Sequence, residues 1–359
     1  MSQGELFAPA ANPNMVVLGR ELRGLNQNDL APKLNLSQAH LSRLEAGLSP
    51  VGDDIVMRLS KQLHLPEDFF KNNDSVYGPT VAEFFHRKRQ SASSSEVNRL
   101  HAQLNKRRME LSRLLRAADI GELNFPRLDP REFDSIEDIA AVVRAAWLLP
   151  SGPISNMTQA IERAGGIVMV SDFGTRMIDA ISQWVPRLPP IFFVNRNAAA
   201  DRVRMTLAHE LGHIVMHQTP HAGMEDEAKK FAAAFLMPER DIRLDFHKVT
   251  LERLAALKPY WKVSMQGLLY RATEIATITD RQARSLWVKM GKFGFRNQEP
   301  PELDLSPEQP VLLREIVDLH VRQFGFSSEE IGRTVQLFED EASEIYGLSQ
   351  SDIRLRVVR

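Results

Sequence analysis

Apolar side chains recur twice at the spacing of an α-helix between residues 26 and 47. The two apolar faces consist of Leu30, Ala31, Leu34, Ala39, Leu41 and Leu44. Asn26 and Ser37 are suitable N-caps, Gly47 is a suitable C-cap, and Asn35 tolerates the left-handed backbone of a tight turn. The pattern therefore predicts two short helices joined as a helix-turn-helix.

Further along the chain, three short segments rich in Val, Ile, Phe and Met are bounded by Gly or Pro, which predicts β-strands. These segments are 165–173, 176–184 and 189–197. Helical patterns cover 199–217 and 225–241, the second ended by Pro238. An earlier helix, 97–118, has an apolar side made of Leu100, Leu104, Leu111, Leu114 and Leu115. The predicted fold class is mainly α with a small mixed β-sheet, or α+β.

Changes in pattern and composition divide the chain into six expected segments. They are a flexible tail (1–13), an all-α helix-turn-helix domain (14–72), a linker (73–96) with a serine cluster at 91–95, an α+β domain (97–240), a helical extension similar to a degenerate helix-turn-helix (241–300), and an acidic helical C-terminal region (301–359).

Two histidines stand four residues apart in "TLAHELGHIVMH" (206–217). On a helix of about 3.6 residues per turn, His209 and His213 share one face, so both imidazoles can reach one metal ion. Glu210 projects beside that face, as a general base would. Glu225 begins an alanine-rich stripe on the next helix and can supply a third ligand. The alternative is a half-buried helix whose histidines are satisfied without a metal.

Two further side chains are candidates for supporting this site. His217 also faces the side of the two histidines, and we interpret it as a supporting or structural residue rather than a ligand. Asp179 either orients a ligand histidine through its second ring nitrogen or belongs to a strand edge.

The composition limits the classes of protein and site. The 359 residues, 43% hydrophobic and 25% charged, are typical of a globular protein with two or three domains. There is no cysteine, so disulfides and thiolate metal sites are excluded, and any metal is held by His and carboxylate groups. The sequence has no apolar run of membrane-spanning length and no secretory signal pattern. We therefore expect a cytoplasmic protein without a membrane partner.

The formal net charge of −1 hides an uneven distribution. Residues 80–116 contain nine basic and three acidic side chains, whereas residues 301–359 contain six basic and twelve acidic ones. The basic segment either contacts phosphate or an acidic partner, or is a solvated helix face. The acidic region argues against nonspecific nucleic-acid binding by the whole molecule, and we expect it to be a partner-binding or oligomer surface.

The N-terminal segment resembles the XRE family of lambda-repressor-like helix-turn-helix proteins over residues 14–72. The residues that match the family pattern are Gln27, Leu30, Ala31, Asn35, Leu36, Ser37, Gln38, Ser42, Glu45 and Gly47. Pro32 inside the first helix and Asn35 in place of the usual glycine depart from that pattern. The resemblance implies that the second helix enters the major groove of duplex DNA. The same motif used only for dimerisation is the alternative.

The resemblance also implies individual roles. The expected DNA-binding residues are Gln27, Ser37, Gln38, Ala39, Ser42 and Arg43. Gln27 and Arg43 would hold the phosphate backbone, and Gln38, Ala39 and Ser42 would face the bases. Proteins of this type bind as homodimers, so the expected target is a pseudo-palindromic operator.

The second half resembles the ImmA/IrrE family of metallopeptidases. The resemblance is carried by "RVRMTLAHELGHIVMH" (202–217) and "EDEAKKFAAAFLMP" (225–238), and it continues through 254–272 and 294–300. It implies a zincin-like α+β fold for residues 97–240 and a Zn²⁺ ion held by His209, His213 and a glutamate of the following helix, with Glu210 as general base. The family pattern on that helix favours Glu225, and Glu227 is the alternative.

Three functions remain open at this point. The first is a DNA-binding transcriptional regulator with a zinc-dependent endopeptidase domain that cleaves a partner repressor-type protein in a stress or mobile-element response. In the second, the HExxH domain is a sensor or partner-binding module that cleaves nothing, and the third is an antitoxin-like protein that controls its own operon. We favour the enzyme because Glu210 has no evident structural duty on its helix.

Overall fold

The structure is a computed structural model that describes residues 11–78, 94–175 and 178–348. These residues form two compact units. Unit 1 contains residues 11–78, 94–120 and 314–348, and unit 2 contains residues 121–313 apart from the gap. Most of the expected tail and linker lie outside the described residues, as do part of the second predicted strand and the last residues of the acidic region.

Unit 1 begins with the predicted helix-turn-helix. Its helices are α1 (Pro13–Leu22), α2 (Gln27–Lys33), α3 (Gln38–Glu45), α4 (Asp53–Leu63) and α5 (Glu67–Phe70). The Asn26 side chain accepts a hydrogen bond from the backbone N–H of Asp29, and the Ser37 side chain accepts one from that of His40. Asn35 is left-handed, with φ of 53°. The predicted caps and turn are thus confirmed.

Four more helices belong to unit 1, together with the helix-turn-helix segment. They are α6 (Ser94–Leu114), α15 (Leu312–Arg322), α16 (Ser328–Val335) and α17 (Glu339–Tyr346), with α15 starting at the boundary of the unit. Leu104 and Leu111 of α6 are buried, and so are Ile331 and Val335 of α16. The structural boundary therefore differs from the expected start at residue 97, because the long helix and the acidic region bury their apolar faces in the helix-turn-helix unit.

Several basic side chains in the second half of α6 form contacts inside unit 1, whereas Arg99 is exposed. Lys106 is buried and donates to the Glu110 carboxylate and to the Val335 carbonyl, both at 2.7 Å. Arg113 forms an ion pair of 2.7 Å with Asp74. For Lys106 and Arg113, the sequence interpretations (contact with phosphate or an acidic partner, and a solvated helix face) are wrong, because both side chains pair with groups of the same chain. The basic residues 87–89 lie outside the described residues.

Unit 2 contains the three-stranded sheet. Its strands are β1 (Ile167–Ser171), β2 (Ala180–Gln183) and β3 (Ile191–Asn195). The order is β1-β3-β2, with β1 parallel and β2 antiparallel to the central β3. The predicted small mixed sheet is confirmed, and each strand lies within the segment predicted for it. Among the described residues, no helix combines the length and apolar character that a bilayer crossing requires.

The other regular elements described in unit 2 are helices and short 3₁₀ turns. The helices are α7 (Ile136–Ala146), α8 (Met157–Arg163), α9 (Ala200–Met216), α10 (Met224–Leu236), α11 (Glu239–Ile242), α12 (Leu251–Trp261), α13 (Met265–Glu274) and α14 (Asp280–Lys292). Short 3₁₀ turns cover Pro130–Glu132, Arg243–Phe246 and Pro301–Leu303.

Close packing of α9 on α10 positions the candidate metal ligands. A Cβ atom added at Gly212 would lie 3.1 Å from the Phe231 ring and 3.3 Å from the Ala228 Cα. Ala228 and Ala232 are buried on the facing stripe of α10. The small side chains predicted on this stripe therefore let the two helices approach each other closely, as the sequence indicated.

The helical extension repeats the local geometry of the N-terminal motif. Lys262 is left-handed with φ of 55°, and Ser264 caps α13 through the backbone N–H of Gly267. Lys258 of α12 is buried and contacts Asp201 and Glu299, each at 2.8 Å. These contacts join the extension to the start of α9, in keeping with a helix-turn-helix that is used for packing.

Candidate functional site

The histidine face of α9 meets the first turn of α10. The Nε2 atoms of His209 and His213 lie 3.1 Å apart. The Glu225 carboxylate lies 3.3 Å from His213 Nε2 through Oε1 and 3.8 Å from His209 Nε2 through Oε2. The structure thus brings together the three residues that the sequence proposed as ligands.

These donor atoms fit a tetrahedral zinc ion. Ligand atoms about 2.0–2.1 Å from a tetrahedral ion lie about 3.3–3.4 Å from each other. The separation of 3.1 Å between the two Nε2 atoms and that of 3.3 Å between His213 Nε2 and Glu225 Oε1 are close to this value, and His209 Nε2 lies 3.8 Å from the other Glu225 oxygen, Oε2. Two imidazole nitrogens and one carboxylate oxygen are also the donor set of one class of catalytic zinc site, which leaves a fourth position open.

Glu210 is tied to the neighbouring edge of the sheet. Its side chain is fully buried, and Oε2 accepts hydrogen bonds from the Ser182 backbone N–H at 3.0 Å and the Ser182 hydroxyl at 2.6 Å. The premise that Glu210 has no structural duty is therefore wrong, because its carboxylate links α9 to β2. The same two bonds fix the orientation of the carboxylate.

A second group of histidine and carboxylate side chains adjoins the first. His217 Nδ1 lies 2.8 Å from His213 Nδ1, and His217 Nε2 lies 2.9 Å from the Glu227 carboxylate. His221 Nε2 lies 3.5 Å from the same carboxylate. Burial is the main reason that the pKa of His217 falls to about 4, although Glu227 opposes the shift. His217 is therefore neutral at pH 7 and has one N–H group. The tautomer of the ring determines which nitrogen donates.

The sequence left two roles open for Asp179, partner of a ligand histidine or part of a strand edge, and proposed His217 as a supporting or structural residue. The Asp179 carboxylate forms an ion pair with Arg202. His217 is the residue that contacts the far ring nitrogen of His213. Its spacing of four residues from His213 was the available signal, whereas Ser182 gave no signal because the β2–α9 contact is not local.

Hydrogen bonds in unit 1 hold the exposed start of α3. Gln38 donates to the Gln27 side-chain oxygen at 2.7 Å, and Gln27 donates to the Glu45 carboxylate at 2.8 Å. Arg20 contacts both oxygens of Glu45, at 2.6 and 3.1 Å. Arg20, which the sequence reasoning missed, thus anchors a network that positions Gln38.

The other predicted DNA-facing side chains also lie on this helix. Ser37, Ala39 and Arg43 are exposed, and Ser42 is half-buried. Leu41 and Leu44 point into the core, which fixes the opposite face of α3 toward solvent. A short helix with exposed Gln and Arg side chains on a rigid base can contact base edges and phosphates in a groove of DNA.

These parts define a DNA-binding regulator that carries a domain of a metallopeptidase type. Residues 19–70 match the helix-turn-helix family model. Residues 161–273 match the model of the IrrE N-terminal-like domain of the M78 peptidases. The two matches confirm the two resemblances and their combination in one chain. No curated protein and no solved structure gives a match.

Proposed function

We propose that this protein is a transcriptional regulator that binds duplex DNA through residues 14–72 and hydrolyses peptide bonds with a zinc-dependent domain. The observation that carries the proposal is the convergence of His209, His213 and Glu225 in a geometry suited to zinc, on and beside the helix that holds Glu210. Glu225 is the proposed third ligand, because the Glu227 carboxylate is engaged with His217 and His221 instead.

In the proposed reaction, the ligand side chains and Glu210 have different roles. When bound, zinc would supply a Lewis acid that polarises the scissile carbonyl and makes water more acidic. Glu210 would accept the proton of the attacking water and return it to the amine nitrogen as the C–N bond breaks, and its bonds to Ser182 would keep the carboxylate oriented for these transfers. His209, His213 and Glu225 would hold the ion and leave one position open to substrate.

The proposed substrate is another repressor-type regulator, cleaved during a stress response or on a mobile-element signal. The IrrE-like match and the DNA-binding unit in the same chain support this proposal. A peptidase that is held near an operator by its own DNA-binding domain meets proteins bound nearby at a raised effective concentration.

One observation favours a second candidate function. Glu210 is fully buried and engaged with Ser182, so it has a structural role that would be retained without catalysis. In this alternative, the domain binds metal but cleaves nothing, and it serves a regulator or antitoxin-like protein as a sensor or partner-binding module.

The metal proposal predicts about one zinc ion per chain in the wild type and none in His213→Ala. The variant removes the central nitrogen of the cluster, since His213 Nε2 lies close to both other ligands. Metal analysis of the purified proteins measures the content. His221→Ala is the matched control, because it removes a half-exposed histidine outside the proposed ligands. Equal zinc content in wild type and His213→Ala would contradict the proposed metal site.

The DNA proposal predicts different effects for two side chains of α3. Gln38→Ala should weaken binding to the preferred DNA site by about 1–3 kcal/mol and relax the base preference. Arg43→Ala should weaken binding to all DNA sequences by a similar amount, because the proposed contact of Arg43 is to phosphate. The measurement is selection from random duplexes, followed by binding titrations at one salt concentration.

The protein is proposed to bind as a homodimer, so the selected site should be a pseudo-palindrome. Its half-sites should lie about one helical turn apart, roughly 34–36 Å. Selection that enriches no symmetric sequence would contradict both the proposed dimer and the proposed operator.

A further inference from the structure

A chain of polar contacts leads from the proposed metal ligands to the surface of unit 2. It runs from His213 Nδ1 to His217 Nδ1 at 2.8 Å, and from His217 Nε2 to the Glu227 carboxylate at 2.9 Å. The His217 side chain is 0% exposed, and that of Glu227 is 30% exposed. A buried imidazole therefore connects a proposed ligand with a carboxylate that reaches solvent.

The tautomers along this chain follow from which atom faces the metal site. His213 Nε2 faces His209 and Glu225, so this nitrogen needs its lone pair for a metal. A neutral imidazole with one free nitrogen carries its proton on the other. His213 Nδ1 then donates to His217 Nδ1, and His217 Nε2 donates to Glu227. Every ring nitrogen in the chain has a role in this arrangement.

His217, His221 and Glu227 could alternatively hold a second metal, because one ligand atom of each lies within 4.8 Å of the others. That ion would require the lone pair of His217 Nε2 and would place the His217 proton on Nδ1. With the first site occupied, two N–H groups would then face each other across 2.8 Å. Two neutral imidazoles cannot share that contact, so the geometry disfavours two ions at once.

We infer that His217 and Glu227 are positioning residues for His213, and that this relay orients the ring and increases its basicity toward one metal ion. The inference rests on the proposed metal site. Partners on the far nitrogen of a metal-binding histidine fix its tautomer and direction, and their loss weakens metal binding by about 10–100-fold. Glu227 thereby has a role different from the ligand role that the sequence left open to it.

The test compares two substitutions of one residue. His217→Phe fills the buried space but cannot accept the proton of His213, so zinc affinity should fall by about 10–100-fold. His217→Asn offers an amide oxygen near the position of Nδ1 and should recover most of that loss. Affinity is measured by competition with a chelator. The thermal melting of the metal-free proteins separates a loss of ligand positioning from a general loss of stability.

His221→Ala is the control that separates the relay from a second metal site. The relay predicts one ion per chain in wild type and in His221→Ala, with similar affinity. Two ions in wild type and one in His221→Ala would overturn the inference, as would unchanged affinity in His217→Phe. Absence of zinc from the wild type would instead show that the proposed function had failed, and the relay with it.

Discussion

A Glu210→Gln variant is expected to keep its metal and its DNA binding and to cleave peptide bonds about 10²–10⁴-fold more slowly than the wild type. The amide oxygen of glutamine can still accept the hydrogen bond of the Ser182 backbone N–H, so α9 should remain attached to β2. An amide cannot take up a proton at neutral pH, so the general base is lost. The fold and the chemistry are therefore separable at this residue.

Ser182→Ala provides the matched comparison. It removes the hydroxyl that donates to Glu210 at 2.6 Å but keeps both the backbone N–H and the carboxylate. We expect Ser182→Ala to lower stability and to slow cleavage much less than Glu210→Gln, because one of the two bonds that orient the carboxylate remains. Glu210→Gln should keep nearly the stability of the wild type and lose most of the activity. The measurements are thermal melting and the rate at which a repressor-type DNA-binding protein is cleaved.

The regulatory response in cells distinguishes the two candidate functions. If cleavage is the output, a reporter of the regulated promoter should lose its response in Glu210→Gln. A sensor should respond in that variant nearly as the wild type does, and His209→Ala, which disturbs the metal site, should be the damaging change. A wild-type response in the Glu210→Gln strain would exclude proteolysis as the output.

Replacing Glu110 with glutamine is expected to destabilise unit 1 by about 3–5 kcal/mol. The buried Glu110 carboxylate contacts the Lys106 ammonium at 2.7 Å and the Arg107 guanidinium at 2.8 Å. It also accepts a hydrogen bond of 2.6 Å from the Tyr346 hydroxyl. Glutamine would leave the buried Lys106 cation without its counter-ion, which is the costly way to break such a pair.

Urea denaturation followed by circular dichroism measures this effect. Tryptophan fluorescence is an internal reference, since all four tryptophans (147, 184, 261 and 287) lie in unit 2. Glu329→Gln is the matched control, because Glu329 pairs with Arg333 across one helical turn on an exposed surface. We expect a change of about 0.5 kcal/mol or less in the control. Equal effects in the two variants would contradict the role of Glu110.

The difference in stability between wild type and Glu110→Gln should depend on pH, because the Glu110 carboxylate titrates in the wild type only. Burial alone would raise the pKa of Glu110, but Arg107, Lys106 and the hydrogen bonds outweigh it and lower the pKa from 4.5 to about 2. A depressed acid pKa stabilises the fold above the unfolded-state value, and the stabilisation is lost as pH falls through the folded-state value. The difference in the free energy of unfolding between wild type and Glu110→Gln should therefore become smaller as pH falls from 4.5 to about 2.

Sequence alone determined the features that depend on nearby residues. The caps at Asn26 and Ser37 and the turn at Asn35 follow from hydrogen bonds and backbone preferences within a few positions. The common face of His209 and His213 follows from helical periodicity. The strands were also predictable, because short apolar runs between Gly and Pro have few other solutions.

Tertiary packing decided the features that join distant parts of the chain. Glu225 and Glu227 are two residues apart on one helix, and only the approach of α10 to α9 directs one to His213 and the other to His217. Lys106 and Arg107 looked like part of a charged surface in the sequence, yet both pair with the buried Glu110, whose hydrogen bond with Tyr346 spans 236 positions. Charge and periodicity describe a single element, whereas burial depends on which other element covers it.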